Sequence, residues 1–355
     1  MERAYDLVVV GAGTIGLSCA WRCAQAGMSV LVVEREAPGA GASGVAAGML
    51  APVTEAAFGE QALLALNLDA RARWPAFAAE LEELTGLPTG YADCGALVVA
   101  ADRDDAEELR RLHAFQVELG LDAEWLAPRA ARHREPGLSP RIAGAIHAPQ
   151  DGQADPSAVV RALVAALVAA GGELRCGLEV TGIETAGGRV GGVQVVPVDA
   201  VEDPDQLRVA GLDERESIRA GAVLVAAGAW SAEGGLVTEA SAPPVRPVKG
   251  QLLELRVRRG HRPPARHIVR TPRCYLVTRH DATVGAGLRP GTPDNSPAVG
   301  PGEIEGLLWA TGHHRNGVML APSTAGAIAA LLTDGELPRA WTAFSPRRFL
   351  DEVPA

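Results

Sequence analysis

Two short stretches hold the residue types that could do chemistry. Near the start of the chain, Gly11-Ala12-Gly13-Thr14-Ile15-Gly16 follows the continuous apolar run Leu7 to Val10. Near the end, "WATGHHRNGVMLAP", Trp309 to Pro322, sets two histidines, an arginine, an asparagine and a glycine between an apolar strand and an apolar helix. Strand ends that face helix starts are where α/β proteins bind ligands. The glycine stretch has a direct mechanical reading. Gly11 permits a tight turn, Gly13 lets the backbone approach a pyrophosphate, and Gly16 lets the following helix pack on the strand. The helix start offers free N–H groups and partial positive charge to phosphates. Glu34, at the end of the second apolar run Val30 to Val33, is placed to accept hydrogen bonds from a ribose diol.

The elements around these stretches are α/β in pattern. Leu7–Val10 and Val30–Val33 read as strands buried on both faces, and Ile15 to Ala26 as a helix stopped by Gly27. Helical patterns fill 61–84 and 104–119. Asp155 followed by Pro156 predicts a helix start, with Gly171-Gly172 as its stop. "YADCGALVVA", "ELRCGLEVTGIET", "RVGGVQVVPV", "PVKGQLLELRV", "RCYLVTR" and "AGAVLVAAGAWS" read as strands. The last opens into Ala227-Gly228-Ala229. The polar stretch around 197–219 reads as a surface insertion.

Composition removes several function classes. The chain has 355 residues, 47% of them hydrophobic, so it can bury a large core. Its net charge is −10, and Lys249 is its only lysine. An acidic chain without a basic run gives no support for nucleic-acid binding. No apolar run approaches the roughly 20 residues of a membrane span, and the N-terminus lacks a signal-peptide pattern, so a cytoplasmic protein is expected. The cysteines, at 19, 23, 94, 176 and 274, have no metal-ligand spacing. His313 and His314 are adjacent, with no third ligand in view, so no metal site is expected.

"GASGVAAGMLAP", following the glycine–Glu34 unit, resembles the D-amino-acid oxidase superfamily of FAD enzymes, and within it the glycine oxidases of the thiamine pathway. The resemblance implies a Rossmann-like FAD-binding domain and a smaller α+β substrate domain with a mixed or antiparallel sheet. The division would be discontinuous: 1–85, 150–245 and 287–340 for FAD, and 86–149 and 246–286 for substrate. Non-covalent FAD would lie along Gly11, Gly13, Thr14, Ile15, Gly16, Glu34 and Arg35. Ala42, Ser43, Ala46, Ala47, Gly48 and Met49 would line its pyrophosphate and flavin ring. Val180, Ala227, Gly228 and Trp230 would also contact it. The closing motif "GHHRNGVMLAP" would bring Gly312, His314, Arg315, Asn316, Gly317, Val318 and Met319 past the pyrimidine end of the flavin, where backbone N–H groups stabilise negative charge.

The same resemblance assigns the catalytic side. "GLRPGTPD" matches the segment whose arginine binds the substrate carboxylate, giving Arg289 that role, held before a rigid Pro-Gly turn. "CYLVTR" makes Tyr275 a pocket wall, and Arg315 lies near flavin and pocket. The implied reaction is oxidative deamination of glycine or a small amino acid, with O2 reduced to H2O2 and the imine yielding glyoxylate and ammonia or feeding thiazole synthesis. Implied partners are the substrate, O2, thiazole-pathway proteins and further copies of the chain. D-amino-acid or sarcosine oxidation, a dehydrogenase, and a flavin-binding form with impaired catalysis stay open as alternatives. The last rests on a departure from the family: "VTRHDATVGAGLRPG" joins the tyrosine and arginine segments almost directly. Roughly forty to fifty residues of the family pattern are missing around 282–287 by this resemblance, a loss that would uncover strand edges and apolar surface.

Overall fold

The computed structural model describes residues 4–198, 216–233, 235–237, 241–253, 263, 265–278 and 284–349. Most of the stretch read as an insertion at 197–219 lies outside them, as do residues 282 and 283, where the family pattern is expected to be shortened.

The chain opens with β1 (Tyr5–Val10), α1 (Thr14–Gln25), β2 (Val30–Glu34), the short β3 (Met49–Leu50) and α2 (Gln61–Thr85). Next come β4 (Ala96–Ala100), α3 (Arg103–Glu118), β5 (Glu124–Leu126), α4 (Pro128–Arg134), β6 (Gly144–Ala148) and β7 (Gly152–Gln153). The run α5 (Pro156–Ala169), β8 (Glu173–Cys176), β9 (Leu178–Ala186), β10 (Arg189–Pro197) and β11 (Glu216–Val225) follows. The last part holds β12 (Arg246–Leu253), β13 (Ile268–Arg270), β14 (Tyr275–Leu276), β15 (Val284–Gly291), β16 (Ala298–Pro301), β17 (Leu307–Thr311) and α6 (Gly317–Asp334).

The main sheet runs β16-β17-β11-β1-β2-β8, with β17, β11, β1, β2 and β8 parallel. Its strands are apolar on both faces because both are covered. Leu7 and Val9 of β1 pack with Leu17, Trp21, Leu163 and Leu320, under the helices α1, α5, α2 and α6. Val8 and Val10 face the opposite way, onto Val193, Val195, Ile218 and Trp309, beneath the antiparallel β9–β10–β11 ribbon. Each such side chain contributes about 1.5–3 kcal/mol by leaving water. The α5 start is as expected: the Asp155 side chain accepts from the N–H groups of Ser157 (3.0 Å) and Ala158 (3.2 Å), and Pro156 occupies the first helical turn. This is a mixed, Rossmann-like α/β architecture.

α6 corrects the expectation about membrane-length runs. It is 18 residues long and apolar enough to cross a bilayer by composition. In the structure it is a core helix, with Leu320, Ala321, Ala325 and Ile328 fully shielded. The Trp74 indole N–H of α2 donates to the Met319 carbonyl at 2.9 Å.

The remaining strands form a five-stranded sheet, β14-β13-β4-β6-β5, in which only β13–β4 is parallel, and two separate two-stranded antiparallel ribbons, β12–β15 and β3–β7. "PVKGQLLELRV" and "RCYLVTR" therefore fall in different sheets. A second difference concerns Arg289. Pro290 and Gly291 are not a turn after it; they continue β15, opposite Pro247 and Arg246. Proline tolerates such a strand end, where it need not donate to the ladder. The chain turns later, at Thr292–Ser296, where the Thr292 hydroxyl donates to Ser296 O at 2.7 Å and Asn295 has φ 54°. Arg289 is held by a ladder, not by a loop.

Candidate functional site

A cavity of about 550 Å³ runs from the β1–α1 turn to the β12–β15 ribbon. At one end the turn is made of close backbone approaches. Gly11 has φ +104°, and a Cβ there would sit 2.7 Å from the Ala226 carbonyl oxygen. A Cβ on Gly16 would sit 2.0 Å from the Gly11 oxygen, so Gly16 packs behind the turn and does not line the cavity. Gly13, Thr14 and Ile15 do line it. Glu34 accepts from Ala12 N–H at 2.6 Å and from Glu36 N–H at 2.9 Å, which fixes its carboxylate at the cavity edge. Arg35 lies over the Trp230 ring, 5.0 Å from its centroid. Val180, Ala227 and Gly228 complete this end.

The small-residue loop forms the floor. Ala42, Ser43, Ala46, Ala47, Gly48 and Met49 all line the cavity. Ser43 Oγ accepts from Thr14 N–H at 3.0 Å, tying the loop to the helix start. Gly48, at φ +79°, passes so close to Ala154 that a Cβ would lie 1.9 Å from its carbonyl oxygen.

The far end converges from separate segments. Arg289, half-buried on β15, lies across the neighbouring strand: a Cβ on Gly250 would come 2.8 Å from its guanidinium carbon. No acidic or hydrogen-bonding partner of Arg289 occurs among the described residues. Tyr275 stands directly opposite Arg270 in the β13–β14 pair. Glu55 and Gln251 line the same end. Glu55 Oε1 meets Arg270 at 3.2 Å, and its other oxygen faces Arg315 at 3.7 Å.

The closing motif divides its residues. His314, Arg315, Gly317 and Val318 line the cavity; Gly312, Asn316 and Met319 do not. Gly312 is a turn residue at φ +72°, with no room for a Cβ beside Thr292. Asn316 precedes α6, buried, its side chain making no cap hydrogen bond. Met319 is in the core. His313 reaches the cavity but turns its ring to Thr324 at 3.1 Å, and burial pushes its pKa down to about 3. Burial, then Arg315, Arg289 and Arg246, also lower the pKa of His314. Its N–H donates to Pro290 O at 2.9 Å, joining the motif to the strand of Arg289.

Sequence reasoning missed Glu55, Arg270, Gly250 and Gln251. Glu55 lies three residues beyond the quoted "GASGVAAGMLAP", and Gly250 follows the only lysine, but neither signal is specific. Arg270 has no local signal; only the fold brings it to the cavity.

The residues present fit a bound dinucleotide. The Thr14 hydroxyl is buried with no partner among the described residues, at a helix start that lines the cavity. The Ser43 hydroxyl accepts from Thr14 and keeps its own proton to donate. No cysteine is among the described lining residues.

Residues 6–286 match the FAD dependent oxidoreductase (DAO) family. The chain is 31% identical to the bifunctional protein ThiO/ThiG of Synechocystis sp., over 99% of this chain and 55% of that one, so it spans about half the length of that relative. It is 29% identical to a glycine oxidase of Geobacillus kaustophilus, over 99% of each. That alignment runs over 401 positions, 46 more than the 355 residues of the chain, in keeping with a shortened form. The crystal structure of glycine oxidase from Geobacillus kaustophilus superposes with a TM-score of 0.84 at 28% identity, covering 98% of this chain and 99% of that one. The family match spans most of the chain, and the cavity, the fingerprint and the closing motif stand on one Rossmann-like frame: the chain belongs to the FAD-dependent oxidoreductases.

Proposed function

We propose that the protein oxidises glycine or another small amino acid bearing one carboxylate, with O2 as electron acceptor, and serves thiazole formation in the cytoplasm. The observation that carries this reading is Arg289: a half-buried guanidinium without an acidic partner among the described residues, in the same cavity as the dinucleotide fingerprint. A half-buried cation without a partner favours an anion, and a guanidinium matches a carboxylate in two-point geometry.

Each residue then has a role. Arg289 holds the carboxylate and Tyr275 flanks the substrate. Gly13, Thr14 and Ser43 would hold the pyrophosphate of non-covalent FAD, and Glu34 the ribose. Bound FAD supplies the two-electron acceptor that takes the hydride equivalent from the carbon beside the amine. The start of α6 directs free N–H groups and partial positive charge into the cavity, where electron density rises. Neutral His314 adds no competing charge. Orientation and exclusion of water do most of the work, so a substrate amine that binds neutral needs no carboxylate base. Glycine, O2 and water give glyoxylate, ammonia and H2O2. The discontinuous division into an FAD part and a substrate part belongs to the same reading.

The test is steady H2O2 formation with glycine, sarcosine and D-alanine, in wild type and Arg289→Ala. Glycine-dependent peroxide with a much raised KM in the variant supports the reading; an unchanged KM rejects the role of Arg289. The 46 surplus positions in the glycine oxidase alignment favour a second reading, in which FAD is held but turnover is weak. Flavin-loaded protein without peroxide from any of the three amines would select it.

A further inference from the structure

The substrate end of the cavity is lined by three guanidiniums, from Arg270, Arg289 and Arg315, and among the described residues only Arg289 is without a carboxylate. Glu55 stands between the other two, one oxygen toward each: Oε1 to Arg270 at 3.2 Å and Oε2 to Arg315 at 3.7 Å. Arg315 also meets Glu60 at 3.5 Å. The remaining charged lining groups, Glu34, Arg35, Glu36, Glu179 and Glu233, lie at the fingerprint end. There Arg35 stacks on Trp230 and pairs with Glu36 and Glu179, and Glu233 N–H bonds Trp230 O. His314 is held neutral by burial and by the arginines around it.

We propose that Glu55, together with Glu60 on Arg315, sets the net charge of the substrate end at one positive unit, by keeping Arg270 and Arg315 as paired cations, and so restricts the site to amines with a single carboxylate. This rests on the reading of Arg289 as the carboxylate clamp.

The position of Glu55 is built. Buried Asp151 accepts from Val53 N–H at 3.1 Å, Thr54 N–H at 3.0 Å and the Thr54 hydroxyl at 2.7 Å. The Gln116 side chain donates to Val53 O at 2.8 Å, and Arg270 donates to Thr54 O at 3.0 Å. The segment is thus clamped from α3, from the loop before β7 and from β13, and the Glu55 side chain is only 11% exposed. A fixed, poorly hydrated carboxylate between two cations repels a second carboxylate on a substrate and denies it both arginines. Without Glu55, Arg270 faces the cavity unpaired beside Tyr275, and a dicarboxylic ligand would find a second partner.

The test uses the FAD-loaded protein and two probes on one carbon, acetate and malonate, followed by the change each makes in the visible flavin spectrum. Wild type should bind acetate more tightly than malonate. Glu55→Gln should shift the ratio toward malonate by about tenfold or more, the scale of one desolvated charge pair. Arg270→Gln leaves Glu55 in surplus and should weaken acetate. The double variant should return the ratio toward wild type. An unmoved ratio in Glu55→Gln, with acetate still dependent on Arg289, overturns the charge assignment alone. Acetate binding that survives Arg289→Ala undiminished overturns the carboxylate clamp and this inference with it. Should Glu55→Gln fail to retain flavin, Arg270→Gln decides: unchanged or tighter acetate binding contradicts the proposal.

Discussion

The two ends of the cavity are made differently. The fingerprint end is backbone: Gly11, Gly13 and Gly48 bring main chain close, and a helix start supplies N–H groups. The substrate end is side chain: Arg270 and Tyr275 come from the five-stranded sheet, Arg289 from the β12–β15 ribbon, and Glu55 and Arg315 from loops. On the proposed reading, the first holds the phosphate-bearing part of FAD, and the second selects by charge.

This contrast can be broken most strongly at Gly13. Gly13→Leu would fill the space a pyrophosphate needs beside Ser43, and should give folded apoprotein. Far-UV circular dichroism unchanged, with no bound flavin after purification, is the expected result. On the other side, Arg289→Ala should keep flavin and weaken capture of a carboxylate by about a hundredfold, in line with loss of a desolvated charge partner. Substrate or acetate titration measures it. Gly250→Val sharpens the point, because it leaves Arg289 in the chain and displaces its guanidinium. Loss of about tenfold or more in acetate affinity is expected from misplacing an oriented group. Tyr275→Phe should cost only a few-fold, the scale of one hydrogen bond.

The smallest effect concerns stability. His313 is fully buried, and its pKa falls from 6.5 to about 3 in the folded state. The unfolded chain therefore binds the extra proton first. The stability His313 contributes is present above pH 6.5 and is lost as pH falls toward 3. Asp151, raised by burial to about 6, acts with the opposite sign over an overlapping range, so the readout is a difference. Chemical denaturation of His313→Gln across pH 4–7 should show weaker acid loss than wild type. Equal slopes would contradict the neutral, buried assignment.

How much of this was legible follows from the same contrast. β1, α1, β2, α5 and α6 announce themselves through apolar runs, glycine stops and the Asp155-Pro156 start, and each lies where the sequence places it within a few residues. The glycine constraints are local, so a six-residue stretch states them. The substrate end depends on contacts across the chain. Arg289 and Tyr275 came only through family resemblance, and the Pro-Gly after Arg289 pointed to a turn where a strand continues. Arg270 meets Glu55 across 215 positions of sequence, a distance that no spacing rule reads. In the closing motif, Gly312, Asn316 and Met319 share the pattern of their neighbours but face the turn or the core. For Met319 helix rotation decides that, fixed by packing of α6 against α1 and α2.

The most direct test mixes the flavin-loaded protein with glycine in the absence of air and records the visible spectrum. The account predicts bleaching of the oxidised flavin band, with recovery and H2O2 when oxygen is admitted. An intact flavin spectrum that glycine, sarcosine and D-alanine all leave unbleached would contradict it.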